Sequence, residues 1–460
     1  MIPTTAGEVQ KACHARLVRG APGRTVTAVS TDTRAIRPGD LFVALPGENF
    51  DGHNFVDEAI GKGAAAVLVE ESKVRDSYPG DAAVLAVRSA VAGLGDLASA
   101  CRAKFTVPFI AITGSNGKTT TKEMTAHVLS ALGKVSWAKK SYNNFIGLPL
   151  TLFELTGDTA FAVLEMGTSG FGEIARMCDI ARPDIGVVTN VGPTHLEKLK
   201  NLEGVAAAKA ELIDALPANG TAILNADDPW CMTIQKRARC RTLTFGMGAA
   251  AELRAAEVHA DSEGVSFVTG GRVRVHLSVP GVHNVYNALA AAVVCRRLGM
   301  DMTEVAARLE TFAGVPLRME VLRIGRVTVV NDAYNANLAS MTAAIEEFRR
   351  YKTAGRRHFV CGDMLELGAE SGRLHRELGE RIAQAEIDRL WLFGKAVEAT
   401  RDAAVAAGFP AKNIFLTDDY DALEKAVLKS VRSGDVMLVK GSRGMRLERI
   451  PAAMKGRKSG

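Results

Sequence analysis

"ITGSNGKTTTKEM", Ile112 to Met124, lies between an apolar run and an amphipathic one. The run before it, Val107-Pro108-Phe109-Ile110-Ala111-Ile112, reads as a short buried strand. The residues after the glycines, Thr119 to Leu132, have a helical period that puts Met124, Val128, Leu129 and Leu132 on one face. A strand, a glycine-rich turn and a helix start make an anion site, because free backbone N–H groups converge there and the helix dipole favours negative charge. Gly114 and Gly117 permit close backbone approach, Lys118 reaches terminal phosphates, and the Thr119 hydroxyl is suited to Mg²⁺. The pattern G-x-x-x-x-G-K-[ST] would place glycine at position 112, where this chain has Ile112, so only the G-K-T core survives. With a strand and a helix on either side, nucleotide binding is the better reading than a mere turn.

The 460 residues suggest about three domains. An apolar share of 47% is ample for several cores, and 23% charged residues is ordinary for a water-soluble chain. No uncharged apolar run is long enough to span a bilayer, so no membrane insertion is expected. The opening "MIPTTAGEVQKACHARL" has no apolar signal core, which argues against secretion. Seven scattered cysteines without a C-x-x-C pair suit a reducing cytoplasm and offer neither a zinc site nor a disulfide framework. The net charge of +6 is small for this length. The basic tail "KGRKSG" reads as a solvated end, and no nucleic-acid partner is expected. Nothing suggests an exposed apolar interface, so a monomer is the expectation.

No internal repeat or low-complexity linker is visible. Short strands and turns such as "TVTAVSTDTR" and "GDLFVALPG" fill the first part, followed by helix-like "FVDEAIGKGA" and apolar "AAVLVE". A helical stretch, Ser89 to Lys104, leads into the phosphate-loop strand as a bridge between two domains. From Val107 onward strands alternate with helices ("FAVLEMG", "DIGVVTNV", "TAILNAD"), the mark of a mostly parallel sheet wrapped by helices. Near "TFAGVPLRMEV" the alternation restarts with "VTVVNDAY", "RHFVCGDM", "DRLWLFG" and "DVMLVKGSRG". The expected fold is therefore α/β in three domains, with limits at 1–88, 89–314 and 315–460. Asp332, Asp363 and Lys440 stand at strand ends of the last domain, where open α/β sheets place ligands.

Three features follow the phosphate loop. Glu165 ends the strand "FAVLE", where a carboxylate can hold Mg²⁺ on a nucleotide or simply meet solvent. His195 lies just beyond another strand in "VVTNVGPTHLEKL", where structural and functional readings weigh equally. Lys209, among alanines in "GVAAAKAELIDALP", reads on composition as a solvated lysine. Asn284 and Asn287 share a helix face in "PGVHNVYNALAAAVV", open to either helix capping or adenine recognition.

Taken together, these pieces resemble the Mur ligase family of ATP-dependent amide-forming enzymes, whose phosphate loop has the shorter G-[ST]-N-G-K-T form. The resemblance covers nearly the whole chain and is carried by "STDTRAIRPGDLFVALPGENFDGHNFV", "GSNGKTTTKEM", "NNFIGLPLTL", "EMGTSGFGEI", "TNVGPTHLE", "KAELIDALP", "HNVYNALAA", "NDAYNANLASM" and "GDMLELG". It implies a small α/β domain for a UDP-substrate, a central P-loop-type parallel-sheet ATPase domain and a C-terminal Rossmann-like domain. Gly114, Ser115, Asn116, Gly117, Lys118, Thr119 and Thr120 would bind ATP phosphates. Thr119, Glu165, His195 and Lys209 would serve Mg²⁺, two ions in all, with Lys209 as a carbamate; that reverses its reading as a solvated lysine. Lys118, Glu165, His195 and Lys209 would carry the catalysis. Asn284 and Asn287 would face adenine, and Arg318 and Asp332 would reach phosphate and ribose when the C-terminal domain closes. Ser30, Thr31, Asp32, Thr33 and Arg34, with Asn143 and Asn144, would hold the sugar-nucleotide substrate, and Lys440 to Arg443 would lie near the incoming amine. Within the family, "NDAYNAN" and "GDMLELG" are similar to the type that joins D-alanyl-D-alanine to UDP-N-acetylmuramoyl-tripeptide through an acyl phosphate in peptidoglycan precursor synthesis. The alternative is the type that adds the third amino acid to UDP-N-acetylmuramoyl-dipeptide, whose diaminopimelate form carries a D-N-P-R motif that is absent here.

Overall fold

The computed structural model describes residues 1–47, 50–139 and 142–456. Arg457 to Gly460 of the basic tail, and Glu48 and Asn49 of the N-terminal motif, lie outside the described residues. Three α/β layers follow one another along the chain, each built on its own sheet. The first is five-stranded, in the spatial order Arg16–Arg19, Ala83–Val87, Ala66–Glu70, Leu41–Val43, Val29–Ser30, with only its first pair antiparallel.

Helix Ala90–Arg102 leaves this sheet with Ser89 accepting from the backbone N–H of Ala92 as its cap. It does bridge. Leu94, Leu97 and Ala98 belong to one continuous apolar core that includes Leu41 and Leu85 on one side and Phe109 and Leu164 on the other.

The central sheet has seven strands, all parallel. Its β1 (Phe109–Thr113) is the strand read from the sequence, and the helix after the loop is α1 (Lys118–Leu129). Further strands are β2 (Thr159–Glu165) and β3 (Ile185–Val188); then come α2 (Leu202–Asp214), β4 (Thr221–Asn225) and α3 (His283–Arg297). In space β1 sits between β3 and β2, with β4 beyond β3 and Lys134–Trp137 beyond β2. All five residues of β1 are buried, as a parallel strand covered on both faces requires. From β1 the chain moves first to one side of the sheet and later to the other, which opens a crevice at the strands' C-terminal ends.

One local expectation is corrected. Met124, Val128 and Leu129 face the core, but α1 stops at Leu129 and Leu132 is 44% exposed. The Ser130 hydroxyl donates to the His127 carbonyl and the backbone tightens into turns, so the helical period no longer applies at Leu132.

The third layer is a six-stranded sheet. Its β5 (Val327–Asp332) pairs antiparallel with Glu320–Ile324 and parallel with β6 (Val436–Lys440). Helix α4 (Leu338–Phe348) follows β5, capped by Asn337, and separate apolar clusters cover the sheet's two faces. Among the described residues no helix is long and apolar enough to cross a membrane.

Candidate active site

Four neighbouring strands of the central sheet end at one place. β1 delivers the phosphate loop, β2 ends on Glu165, β3 runs into Thr189 to His195, and β4 ends on Asn225. Glu165 pairs in register with Ile112, and Val188 with Thr113, so these loops open at the same height. The cavity they enclose measures about 840 Å³, and its far wall comes from the C-terminal layer through Arg318, Asp332, Asn337 and Lys440. That is within the roughly 300–1,000 Å³ usual for small-molecule sites.

The loop's shape is set by two glycines in left-handed backbone. Gly114 has φ +148°, and a Cβ there would fall 1.8 Å from Thr189 Oγ1; Gly117 has φ +81°, and its Cβ would fall 2.3 Å from Asn287 Oδ1. Gly117 is also the N-cap of α1 and offers no side chain, and the first turn carries no acid. The N-terminal N–H groups of α1 therefore have no side-chain cap, as an anion site demands. Asn190 grips Asn116 from below, accepting from its N–H at 2.9 Å and donating to its carbonyl at 3.1 Å.

Lys118 folds back so that Nζ donates to the Gly114 carbonyl at 2.7 Å. Burial pulls its pKa down, Glu165 partly offsets this, and Arg318 adds to the depression. Lys209, on α2, is buried (3% exposed) rather than solvated. Burial and then the neighbouring Lys118 charge lower its pKa to about 7. Glu165 is buried as well; Oε1 accepts from Asn143 Nδ2 at 2.8 Å, while Oε2 has no hydrogen-bond partner and lies 3.8 Å from Lys122 Nζ. The His195 imidazole is held below its ordinary pKa, chiefly by burial, with the Glu366 carboxylate opposing and the Lys118 and Lys209 charges reinforcing.

Gly114, Ser115, Asn116, Gly117, Lys118 and Thr120 line the cavity, as do Asn143, Asn144, Glu165, His195, Lys209, Asn284, Asn287, Arg318 and Asp332. Thr119 lies just behind this wall, its hydroxyl 3.3 Å from Arg318 Nη2. Ser30, Thr31, Asp32, Thr33 and Arg34 are not in this cavity wall; they sit at the edge of the N-terminal sheet, with Asp32 and Arg34 in an ion pair at 2.7 Å. Asn284 and Asn287 do not cap α3. Asn284 donates to the Pro280 carbonyl and accepts from Asn287, which accepts in turn from the Thr121 hydroxyl, so the pair ties α3 to α1. Asp332 accepts from Lys440 Nζ at 2.6 Å.

Several site residues carried no individual signal in the sequence. The Asn337 amide donates to Asn116 Oδ1 at 2.9 Å, the Tyr334 ring lies 3.9 Å beneath the Arg318 guanidinium carbon, and Glu366 meets His195. All three lie in loops of irregular backbone, inside quoted motifs, where no periodicity marks a residue.

The donor set offers oxygen to a cation such as Mg²⁺. A hard cation wants oxygen, and the orphaned Glu165 Oε2 on the cavity wall is such an oxygen; a carbamate on Lys209 would add more. Among the described residues no three His, Cys, Asp or Glu side chains form a ready-made metal cage.

Comparison with known proteins covers the segments in which these residues lie. Family models match the chain in three consecutive segments: "Mur ligase family, catalytic domain" over residues 25–102, "Mur ligase middle domain" over 112–295 and "Mur ligase, glutamate ligase domain" over 317–443. The UDP-N-acetylmuramoyl-tripeptide--D-alanyl-D-alanine ligase of Bacillus subtilis is 36% identical over 98% of both chains. A crystal structure of MurF from Acinetobacter baumannii superposes with a TM-score of 0.89 at 28% identity over 99% of both chains. That of MurF ligase from Thermotoga maritima in complex with ADP gives 0.81 at 31% identity, over 94% of this chain and 97% of that one. Matched over almost its whole length, in each of its three layers, this chain belongs to the Mur ligase family.

Proposed function

We propose that this protein uses ATP to join D-alanyl-D-alanine to the terminal carboxylate of UDP-N-acetylmuramoyl-tripeptide. One observation carries the reading: a phosphate loop, a buried carboxylate with one oxygen free of hydrogen bonds and two desolvated lysines share a single cavity. The relatives named for this reaction, similar over nearly the full chain, support the choice of substrates.

A carboxylate resists attack by an amine because its carbonyl is electron-rich and oxide does not leave. Transfer of the γ-phosphoryl group onto that carboxylate gives an acyl phosphate and ADP; the dipeptide amine then attacks the carbonyl carbon, and phosphate departs. Both partners in the first step are anions, so cations must offset their repulsion. Lys118 and the open end of α1 act on the phosphates. Mg²⁺, served by Thr119, Glu165, His195 and Lys209, supplies further charge neutralisation when bound. Arg318 and Asp332 bring the C-terminal layer onto the nucleotide, while Asn284 and Asn287 shape the adenine region mainly by fixing α3 against α1. Asn143 and Asn144 border the acceptor peptide, and Ser30 to Arg34 hold the UDP end. Residues 1–88, 89–314 and 315–460 serve as sugar-nucleotide, ATP and closing domains.

In the two-substrate test, phosphate released from ATP with UDP-N-acetylmuramoyl-tripeptide should rise on adding D-alanyl-D-alanine. A preference for the UDP-dipeptide plus a diamino acid would point instead to addition of the third residue.

Lys209 is a carbamate site in this reading. A pKa near 7 leaves much of the amine neutral, and a neutral amine adds CO₂ with loss of one proton to become an anionic metal ligand. Protein exposed to ¹³C-bicarbonate should show one carbamate carbon signal that disappears in Lys209→Ala. An identical signal in that variant would remove Lys209 from the role.

A further inference from the structure

Two non-glycine residues in left-handed backbone face each other across the cleft. His195 has φ +54° at the start of the turn after β3, and Glu366 has φ +63° in the C-terminal layer. L side chains rarely adopt this conformation, and where it persists the surroundings hold it in place. His195 Nδ1 lies 2.5 Å from Glu366 Oε2, a contact of charge and proximity rather than a well-aligned hydrogen bond.

The loop bearing Glu366 is anchored on every side. Asp363 accepts from the backbone N–H groups of Lys395 and Val397, Met364 N–H donates to His375 Nε2, and Leu365 N–H donates to Ser442 Oγ. Gly368 then lies so close to the His195 turn that a Cβ on it would come within 3.2 Å of Glu197 Cα. A solvent-exposed ion pair is ordinarily worth little. This one differs because its loop is tied down by these bonds, and because it sets a C-terminal carboxylate directly against the histidine of a cavity that also holds Lys118 and Lys209.

We propose that Glu366 is a positioning residue, seated against His195 so that the ring takes its working orientation only when the C-terminal layer is docked on the phosphate-loop side. A carboxylate at Nδ1 favours the proton there and leaves Nε2 as the ring's free lone pair, the arrangement that outer partners impose on histidines serving a metal. This rests on the reading of His195 given above. It also makes the metal site incomplete until the layers meet.

Three variants separate contact from backbone strain. Glu366→Ala removes the contact, Glu366→Gly removes the contact and relieves the strain, and Glu366→Gln keeps an oxygen that can accept from Nδ1–H. The alanine and glycine variants should lose about 10–100-fold in kcat with the KM for ATP changed less than about threefold, while glutamine stays within about threefold of the parent, as for outer-shell partners elsewhere. The second readout uses metal-free, nucleotide-free protein with ¹⁵N-labelled histidine, the His195 signals being assigned by their loss in His195→Ala. The Nδ1-protonated form should dominate in the parent and in Glu366→Gln and give way in Glu366→Ala. Full activity in Glu366→Gly, or unchanged His195 nitrogen shifts in Glu366→Ala, would overturn the proposal. A parent protein without dipeptide-dependent phosphate release would instead sink the ligase reading, and the nitrogen shifts would still decide the role of Glu366.

Discussion

Replacing Lys118 by alanine is expected to leave a folded protein with ligation reduced by about a hundredfold or more, on the order of 3 kcal/mol of lost transition-state stabilisation. Folding should survive because Lys118 opens α1 and is not among the helix residues that form its buried face. Its ammonium is desolvated and held by loop carbonyls, at 2.7 Å from Gly114 and 3.5 Å from Ser115. Such a cation gains most when an anionic phosphate arrives. Arginine should not substitute, since its planar fork does not fit a pocket shaped for a compact ammonium beside two carbonyls. Circular dichroism checks the fold and the two-substrate phosphate assay checks the rate; turnover above about a tenth of the parent's would take Lys118 out of the phosphoryl-transfer step.

Gly114→Ala should be comparably damaging, for a reason of shape rather than charge. The new methyl carbon would fall 1.8 Å from Thr189 Oγ1, 3.1 Å from its Cβ and 3.2 Å from its backbone nitrogen. Thr189 cannot simply turn aside, because its hydroxyl donates to the Asn116 carbonyl at 2.6 Å and so belongs to the cradle itself. The left-handed φ alone costs about 1–3 kcal/mol for an alanine. The expected result is a lowered melting temperature together with near-complete loss of ATP-dependent turnover. Adding Thr189→Ala removes the closest atom and should recover part of the stability, but not the activity, since the loop loses its grip on Asn116. Normal melting and normal turnover in Gly114→Ala would show that the loop follows a different path from the one described.

These two expectations differ in how far they could be read without a structure. The strand, glycine turn and helix around Lys118 were legible because local spacing and chirality set them. The alternation of strands and helices also placed Glu165 and His195 at strand ends, and motif order pointed to the family. The clash at Gly114 was not legible, because Thr189 is 75 positions away along the chain and reaches the loop only through the pairing of β3 with β1.

Lys209 shows the limit most clearly. Composition argued for a solvated side chain, and only resemblance reversed that; packing of α2 against the sheet buries it beside Lys118 and gives the chemical cause of its low pKa. Leu132 went the other way, because the helix ended three residues early and the apolar spacing outlived it. Asn284 and Asn287 shared a face as expected, yet their hydrogen bonds join two helices instead of capping one. Glu366, Asn337 and Tyr334 had no signal of their own, being loop residues whose partners lie on another sheet. Order along the chain was enough for the alternation of strands and helices, the mostly parallel central sheet and the general location of the ligand crevice, since these follow from local sterics and hydrophobic period. Which charges lose their water, which polar atoms stay unpaired and which loops meet across the cleft depend on contacts between residues distant in sequence, and those exist only once the three layers have packed.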